Sequence, residues 1–134
     1  MKLSRTVGYA LQATLQLAQS DTAAPVPCSQ LAAKGHMPER FLLQILRNLV
    51  THGILHSSRG VDGGYMLDRK PEDISLLEVI EAVDGPLQTG TLMADGLPRE
   101  SQNQIRAALD EVTATARRQL AEIKLASLLK KPEV

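Results

Sequence analysis

Three glycines near the middle of the chain constrain the fold more than any other feature. Gly60, Gly63 and Gly64 separate two short runs of strand-forming residues, 54–58 and 65–68. Glycine adopts positive φ values that other residues resist, so glycines at these positions permit a tight turn between antiparallel strands. The sequence therefore predicts a β-hairpin whose turn lies within 59–64.

A helix is predicted directly before this hairpin. Apolar residues over 38–52 recur at intervals of three and four, and Gly53 is placed to end the helix. Pro38 fits the first turn, where a backbone N–H is not needed. A helix followed by a strand, a basic tip and a second strand is typical of a winged helix. In that fold Arg59 would reach outward from the hairpin toward a phosphate or a narrow minor groove.

Composition indicates one mostly helical domain with an extension. The chain has 134 residues, of which 43% are hydrophobic, enough for one sizeable core. Only two Tyr and one Phe are aromatic, so the core must be aliphatic, which favours helices. The first residues lead into a helical pattern without the long apolar run of a signal or membrane segment. We therefore expect a mostly α, cytoplasmic protein without a membrane partner.

Capping and breaking residues predict three further helices in the first two thirds of the chain. Ser4 is placed to cap the first of them. Gly35 is placed to end a second, short helix over 29–34. Ser75 and Glu78 form a capping box that opens a fourth helix. Residues 1–86 are therefore predicted to form one winged helix-turn-helix domain.

The rest of the chain predicts a linker over 87–100 and a long helix over 101–130. One apolar stripe runs along this helix at spacings of three and four. Such a long helix cannot cover its stripe against a small domain, so we expect it to pair with a second chain. A helix folded back on its own core is the alternative. The predicted dimerisation residues are Ile105, Leu109, Val112, Ala116, Leu120 and Ile123.

Charge is distributed unevenly although the formal net charge is zero. Residues 1–70 carry eight Lys or Arg and four Asp or Glu, whereas the remainder carries seven and eleven. A basic half that meets phosphate and an acidic half kept away from it are common in DNA-binding regulators. The charge pattern alone is a weak argument for a nucleic-acid partner.

The predicted helix over 38–52 has chemistry suited to a DNA groove. At about 100° per residue, its apolar residues share one side, and two arginines and a glutamine share the other. Arg can bridge guanine acceptors or a phosphate, Gln can bridge adenine, and a flanking Leu can touch a thymine methyl. An ordinary solvated surface is the alternative. The predicted DNA-binding residues are Glu39, Arg40, Leu43, Gln44, Arg47 and Thr51 in the helix, with Arg59 and Gly60 in the wing.

Several separated motifs occur in an order that resembles the Rrf-two family of winged-helix transcription regulators. The resemblance covers roughly the first 86 residues. It implies a homodimeric transcription factor, usually a repressor. Its long C-terminal helices would pair, and its third helix and wing would bind an inverted repeat in double-stranded DNA. The motifs are Met1 to Ser4, Tyr9 to Leu11, Pro38 to Leu49, Gly53 to Leu55, Arg59–Gly60, Gly63 to Leu67, Ile74 to Ile80 and Ala82 to Gly85.

Two positions depart from the family pattern. Some members carry an acidic residue just before the matching Gln, where this chain has Leu43, so we expect a different operator sequence. Asp62 places a negative charge in the wing tip, where repulsion from phosphate would weaken the contact unless Arg59 pairs with it.

The cysteine content excludes the cofactor that many members of this family hold. Those members bind an iron–sulfur cluster through three cysteines between the fourth helix and the dimer helix, but residues 87–98 contain none. Cys28 is the single cysteine of the chain, and cluster ligation needs several thiolates. We therefore expect no cluster and no other cofactor.

The single cysteine and the histidines are the remaining candidates for redox or metal chemistry. Cys28 immediately precedes the second helix, whose N-terminus would favour a thiolate, so it is a candidate redox thiol. An inert, packed cysteine is the commoner alternative. His52 and His56 are four residues apart, but Gly53 lies between them and should end the helix, so we expect no metal site.

Enzymatic chemistry has no support in the sequence, which lacks a nucleophile motif and a nucleotide-binding glycine loop. The rival to a DNA-binding regulator is an interaction module, a winged-helix dimer that acts through a protein partner without specific DNA binding. The arginines and the glutamine described above favour DNA, because a purely protein-binding chain would not need them. The operator, the regulated genes, the direction of regulation and any small-molecule or protein effector stay undetermined.

Overall fold

The computed structural model describes residues 2–20, 24–90 and 95–129. Within these ranges the chain forms six helices, one 3-10 turn and one two-stranded sheet, which confirms the predicted mostly α fold with a small hairpin. The elements are α1 (Arg5–Gln19), α2 (Cys28–Gly35), α3 (Glu39–Thr51), β1 (Leu55–Ser58), β2 (Gly64–Leu67), the 3-10 turn (Pro71–Asp73), α4 (Leu76–Asp84), α5 (Arg99–Glu122) and α6 (Leu125–Leu128).

Helix α1 is capped as predicted and is tied to the end of α4. The Ser4 hydroxyl accepts a hydrogen bond from the Val7 N–H at 3.2 Å. The same hydroxyl donates to the carboxylate of Asp84, with Oγ–Oδ1 at 3.0 Å. One serine therefore both begins α1 and joins it to the helix that packs beside it.

The turn between α2 and α3 differs from the prediction. Gly35 was expected to end the second helix, but it is the last helical residue, and His36 takes the left-handed conformation with φ 53° and ψ 46°. A Cβ at Gly35 would lie 2.6 Å from Nε2 of both Gln12 and Gln16, so a side chain there would require the ends of these flexible side chains to move. Gln12 uses this close approach to donate to the Gly35 carbonyl at 2.7 Å. The contact between α1 and α2 thus positions the turn that leads into α3.

Helix α3 buries one side, as its periodicity predicts. It begins at Glu39, with Pro38 as the N-cap, and it ends at Thr51, two residues before Gly53 at φ 75°. The buried side is wholly aliphatic and lies in the centre of the core, so the opposite side is left for solvent or a ligand. The buried residues of α3 are Leu42, Ile45, Leu46 and Leu49.

The predicted hairpin forms the wing, residues 55–67. Strands β1 and β2 are antiparallel, with Leu55 opposite Leu67 and Ser58 opposite Gly64. The other edge of β2 is covered by Val26, which exchanges two backbone hydrogen bonds with Tyr65 at 2.8 and 2.9 Å. This third segment was not predicted. It holds the base of the wing against the chain just before α2.

Gly64 should tolerate no side chain. Its φ is 156°, and a Cβ would collide with the Val26 carbonyl group and lie 2.7 Å from the backbone nitrogen of Pro27. We expect Gly64→Ala to lower the free energy of unfolding by about 2 kcal/mol, because backbone atoms must move. Urea unfolding measures the change. The matched control is Gly8→Ala, within helix α1 and open to solvent, which should stabilise the protein by about 0.5–1 kcal/mol. Equal effects of the two substitutions would contradict the packing of Val26 on the wing.

Helix α4 begins with the predicted capping box. The Ser75 hydroxyl accepts from the Glu78 N–H at 3.1 Å, and the Glu78 carboxylate accepts from the Ser75 N–H at 2.9 Å. Arg69 donates to the same carboxylate at 2.9 Å. Burial alone would raise the pKa of Glu78, but these hydrogen bonds and the nearby Arg69 and Lys124 charges lower it overall. Glu78 therefore stays ionised and holds the start of α4.

The long C-terminal helix ends earlier than predicted. The helix expected over 101–130 runs from Arg99 to Glu122, and residues beyond 129 lie outside the described ranges. The chain then turns, and Leu125 in α6 is fully buried in the core of the winged-helix domain. Two backbone hydrogen bonds of 2.9 Å secure this return, from the Leu76 N–H to the Ile123 carbonyl and from the Leu125 N–H to the Ile74 carbonyl. Among the helices described, none is long and apolar enough to span a bilayer.

Candidate DNA-binding surface

The polar side chains predicted to bind DNA lie together on the exposed side of α3. We call this side, formed by Arg40, Gln44, Arg47 and Thr51, the polar face of α3; all four residues are exposed. The Gln44 amide donates to the side-chain oxygen of Asn48 at 3.4 Å, and the Thr51 hydroxyl donates to the Arg47 carbonyl at 2.9 Å. In the part of the chain that the structure describes, neither arginine forms an ion pair. Both guanidinium groups are therefore free to meet an anion.

The two other predicted α3 residues lie beside this face. Leu43 is half-buried, whereas Glu39 is exposed in the first turn. An acidic side chain in the first turn favours the helix through its dipole. Glu39 would repel a phosphate brought close to it, so its predicted part in DNA contact stays a prediction.

The wing tip is a tight turn with Arg59 at its start. The Gly63 N–H donates to the Gly60 carbonyl at 3.0 Å, and Gly60 has φ 107°. Arg59 and Asp62 are both exposed, and no ion pair joins them among the described residues. The Arg59 guanidinium is thus available to DNA, while the Asp62 charge is not neutralised by Arg59.

A groove between α1 and α3 extends the surface beyond the predicted residues. This α1–α3 groove has a volume of about 310 Å³ and is lined from α1 by Arg5, Thr6 and Tyr9. From α3 it is lined by Phe41, whose side chain is largely exposed, and by Gln44 of the polar face, among others. Sequence periodicity places Phe41 at the edge of the buried side of α3, so its exposure, like the approach of Arg5, follows only from the packing of α1 on α3.

Cys28 does not have the environment of an activated thiol. It is the first residue of α2 rather than the residue before it, and it is half-buried. Burial raises the pKa of the Cys28 thiol, and the Glu39 carboxylate raises it further. The thiol is therefore protonated at neutral pH, contrary to the thiolate expected at the helix start. A redox role of Cys28 stays an untested prediction.

The histidine side chains have separate partners. His52 Nδ1 lies 2.8 Å from the Asn48 carbonyl, and His56 Nδ1 lies 4.0 Å from the Asp68 carboxylate. Within the described ranges, no three His, Cys, Asp or Glu side chains converge in a way that would hold a metal ion. With one cysteine in the whole chain, the residues present do not fit a cysteine-ligated iron–sulfur cluster.

Helix α5 is fastened to α4 through Glu81. Arg117 donates two hydrogen bonds to the Glu81 carboxylate, at 2.9 and 3.2 Å, and the Leu87 N–H donates a third at 2.6 Å. The hydrogen bond from Arg117 lowers the pKa of Glu81, burial opposes this, and the Leu87 N–H adds to the lowering. Thr89 also donates to Asp110 at 2.8 Å. Residues 87–90 of the linker predicted over 87–100 therefore lie along α5 rather than free of it, and the last two residues of that range, Arg99 and Glu100, already belong to α5.

The apolar stripe of α5 is open to solvent along much of its length. No residue of this 24-residue helix is buried, and Val112 is 66% exposed. Ile105 and Leu109 are exposed as well, and Ala116 and Leu120 are half-buried. Ile123, the last predicted member of the stripe, lies after the helix end, because its carbonyl pairs with the Leu76 N–H. Ile123 therefore does not belong to the α5 seam.

These elements define a class of protein. A helix-turn-helix whose second helix presents a polar face, followed by a hairpin with a basic tip, is the architecture of winged-helix DNA-binding proteins. The chain belongs to the Rrf2 family within this class, because the family model, described as an iron-dependent transcriptional regulator, matches residues 3–131. The family is one of HTH-type transcription regulators and not of enzymes.

Named relatives agree with this assignment. The chain is 31% identical to the HTH-type transcriptional regulator CymR of Bacillus subtilis over 114 residues, which cover 84% of this chain and 83% of CymR. It is 34% identical to Escherichia coli IscR over 84 residues, which cover 63% of this chain and 52% of IscR. Against a candidate HTH-type regulator of Mycobacterium tuberculosis the identity is 40% over 87 residues, 65% of this chain. The match spans about half of that relative, 54% of its length.

Solved structures share the whole fold. The structure of CymR, the global cysteine regulator of B. subtilis, superposes with a TM-score of 0.75 at 25% identity and covers 96% of this chain and 95% of CymR. The structure of IscR from T. potens superposes with a TM-score of 0.71 at 30% identity and covers 99% of this chain and 89% of that IscR chain. The likeness therefore extends through α5 and α6, beyond the first 86 residues that carried the resemblance in sequence.

Proposed function

We propose that the protein is a homodimeric repressor that binds an inverted-repeat operator. The observation that carries this proposal is the polar face of α3, which lies opposite the helix side buried in the core. A helix held in this way can enter a major groove and present Arg and Gln to base edges. The wing supplies a further cation, Arg59, for the adjacent backbone or minor groove. Binding near a promoter would exclude RNA polymerase and thereby repress transcription.

The exposed stripe of α5 supports the dimer. Its 24 residues extend about 36 Å, and Ile105, Leu109 and Val112 on one side remain exposed in the described parts of this chain. A shallow groove lined by Ala108, Val112 and Ala116, among others, leaves room for side chains of a partner helix. Small residues allow two helices to approach closely. Pairing of α5 with its copy would bury the stripe and place two α3 helices on one DNA duplex.

The contacts around Glu81 give the dimer a defined geometry in this proposal. Because Arg117 and the Leu87 N–H converge on one carboxylate, the wing domain, the linker and α5 are joined at one point. An effector that acted on the linker over 87–98 would change the separation of the two α3 helices. Four of these residues, 91–94, lie outside the described ranges.

A protein-binding module without specific DNA binding is the less favoured reading. It would not account for two arginines and a glutamine on one helix face beside an arginine in the wing, none of these arginines forming an ion pair within the described ranges. Membership in a family of transcription regulators also favours DNA.

Selection from genomic DNA tests the function directly. The purified protein would be mixed with fragmented DNA of its own organism at moderate salt, and the retained fragments sequenced, with Arg59→Ala run in parallel. We expect one inverted repeat to be enriched by the natural protein, with the enrichment reduced by Arg59→Ala. Retention of no fragment, or of all fragments equally, would contradict the proposal.

Two substitutions on α3 should distinguish a sequence-specific base contact from a phosphate contact that does not depend on sequence. We expect Arg47→Ala to weaken binding to operator and scrambled DNA alike and to reduce the salt slope by about one per subunit, because a phosphate contact is lost. Gln44→Ala should cost about 1–3 kcal/mol per half-site on the operator and little on scrambled DNA, because a base contact is lost. Fluorescence anisotropy over a salt series measures both. Equal losses on the two DNAs for Gln44→Ala would refute its assigned role.

A further inference from the structure

Phe41 is an exposed aromatic side chain on the DNA-reading helix. It is 68% exposed, although it lies in a helix whose other large apolar residues are mostly buried. Phe41 stands at one side of the α1–α3 groove, and Gln44 lies one turn further along the same groove. The ring is therefore placed beside a residue of the polar face, in a position open to a ligand.

The angular position of Phe41 separates it from Leu43. At about 100° per residue, Phe41 lies about 60° from Gln44 around the helix, whereas Leu43 lies about 100° away on the other side. Leu43 is also half-buried. Phe41 is therefore the more exposed of the two apolar residues and the nearer to Gln44, whereas Leu43 is the nearer to Arg47.

The charge and chemistry of the groove favour DNA as its occupant. Arg5 at the start of α1 lines the groove and forms no ion pair within the described ranges, so its charge complements a phosphate. A phenyl ring has no hydrogen-bonding group with which to read a base edge. In the major groove the apolar feature of a base pair is the thymine methyl group, which Phe can contact.

We propose that Phe41 makes the protein specific for a thymine at one position of each operator half-site, by contact with the 5-methyl group. Arg5 holds the phosphate backbone of the neighbouring strand in the α1–α3 groove. This inference rests on the proposed function, since it requires α3 to lie in the major groove. It moves the thymine contact expected at Leu43 to the opposite flank of the polar face.

Replacement of thymine by uracil tests the contact, because uracil lacks only the methyl group. Each thymine of the operator would be replaced in turn, symmetrically in both half-sites, and affinity measured for the natural protein, Phe41→Ala and Leu43→Ala. Loss of one buried methyl contact corresponds to about a fourfold loss of operator affinity per half-site, or about a fifteenfold loss when both half-sites are changed. We expect this loss at one thymine for the natural protein and for Leu43→Ala, and none at that thymine for Phe41→Ala.

Other outcomes would overturn the inference in distinguishable ways. Sensitivity to uracil that survives Phe41→Ala but disappears in Leu43→Ala would assign the contact to Leu43. Absence of sensitivity at every thymine would show that no methyl is read. If Phe41→Ala instead made the protein monomeric, with uracil sensitivity unchanged, the groove would belong to a second copy. In all three cases operator binding by the natural protein would leave the proposed function standing, whereas failure to bind any operator would remove it.

Discussion

Val112→Glu is expected to convert the protein to a monomer and to lower operator affinity by about 100-fold to 10,000-fold, the usual range of avidity from two linked sites. Val112 is the most exposed member of the α5 stripe. In a symmetric dimer the substitution would bury two unpaired carboxylates close together, which costs several kcal/mol. A monomer would keep its α3 surface but would bind only one half-site.

Sedimentation velocity, followed by anisotropy on the operator, measures both effects. The matched control is Ala114→Glu, which introduces the same side chain about 200° away around α5, at an exposed position outside the stripe. Ala114→Glu should leave the protein dimeric with nearly unchanged affinity. A dimer that persists with Val112→Glu would place the subunit interface elsewhere and remove the role given to α5.

Leu125→Ala should lower the free energy of unfolding by about 3 kcal/mol, within the usual range for a buried leucine. Leu125 is fully buried, although it lies beyond the long helix and far in sequence from the rest of the core. Its backbone N–H donates to Ile74 just before α4, so the side chain is held among residues of the winged-helix domain. Truncation to Ala would leave a cavity that the surrounding helices cannot close.

Urea unfolding at one fixed protein concentration provides the measurement, since dimer formation contributes to stability. Leu128→Ala serves as the control, because Leu128 is in the same short helix but 43% exposed, and it should cost less than about 1 kcal/mol. Equal losses for the two variants would show that the chain end does not return to the core. A larger loss for Leu125→Ala would establish that the winged-helix domain needs residues from the far end of the chain.

The helices and the wing could be predicted because their signals are local. The periodicity of α3, the capping box at Ser75 and the three glycines of the wing each act over a few residues. The features that the sequence did not predict depend on tertiary contacts. His36 rather than Gly35 takes the left-handed conformation, whereas Gly35 accepts a hydrogen bond from Gln12 of α1, and neither residue alone reveals this.

The ends of the wing and of α5 depend on distant partners. Val26 pairs with Tyr65 across a sequence separation that no local pattern reports. At the end of α5 the apolar spacing continues through Ile123 without a glycine or proline to stop it. The helix ends there because the backbone of Ile123 pairs with Leu76, which only the folded chain brings near.

The candidate site could be predicted in part for the same reason. Arg40, Gln44 and Arg47 follow from the helical pattern of α3 and its exposed side. Phe41 was absent from the predicted contacts, because on the helix wheel it flanks the buried side of α3 and its exposure follows only from the fold. Arg5 could not be found from sequence, because its place beside α3 depends on how α1 crosses the domain.

Hydroxyl-radical footprinting of the recovered operator, combined with the protein-to-DNA stoichiometry, tests the central claim most directly. We expect two subunits per operator and two protected regions related by a twofold axis. Their centres should lie about 34 Å apart along the duplex or a multiple of that distance, since each α3 enters a major groove on the same side. One subunit per site, or a single protected region without symmetry, would contradict a dimer that reads an inverted repeat through α3.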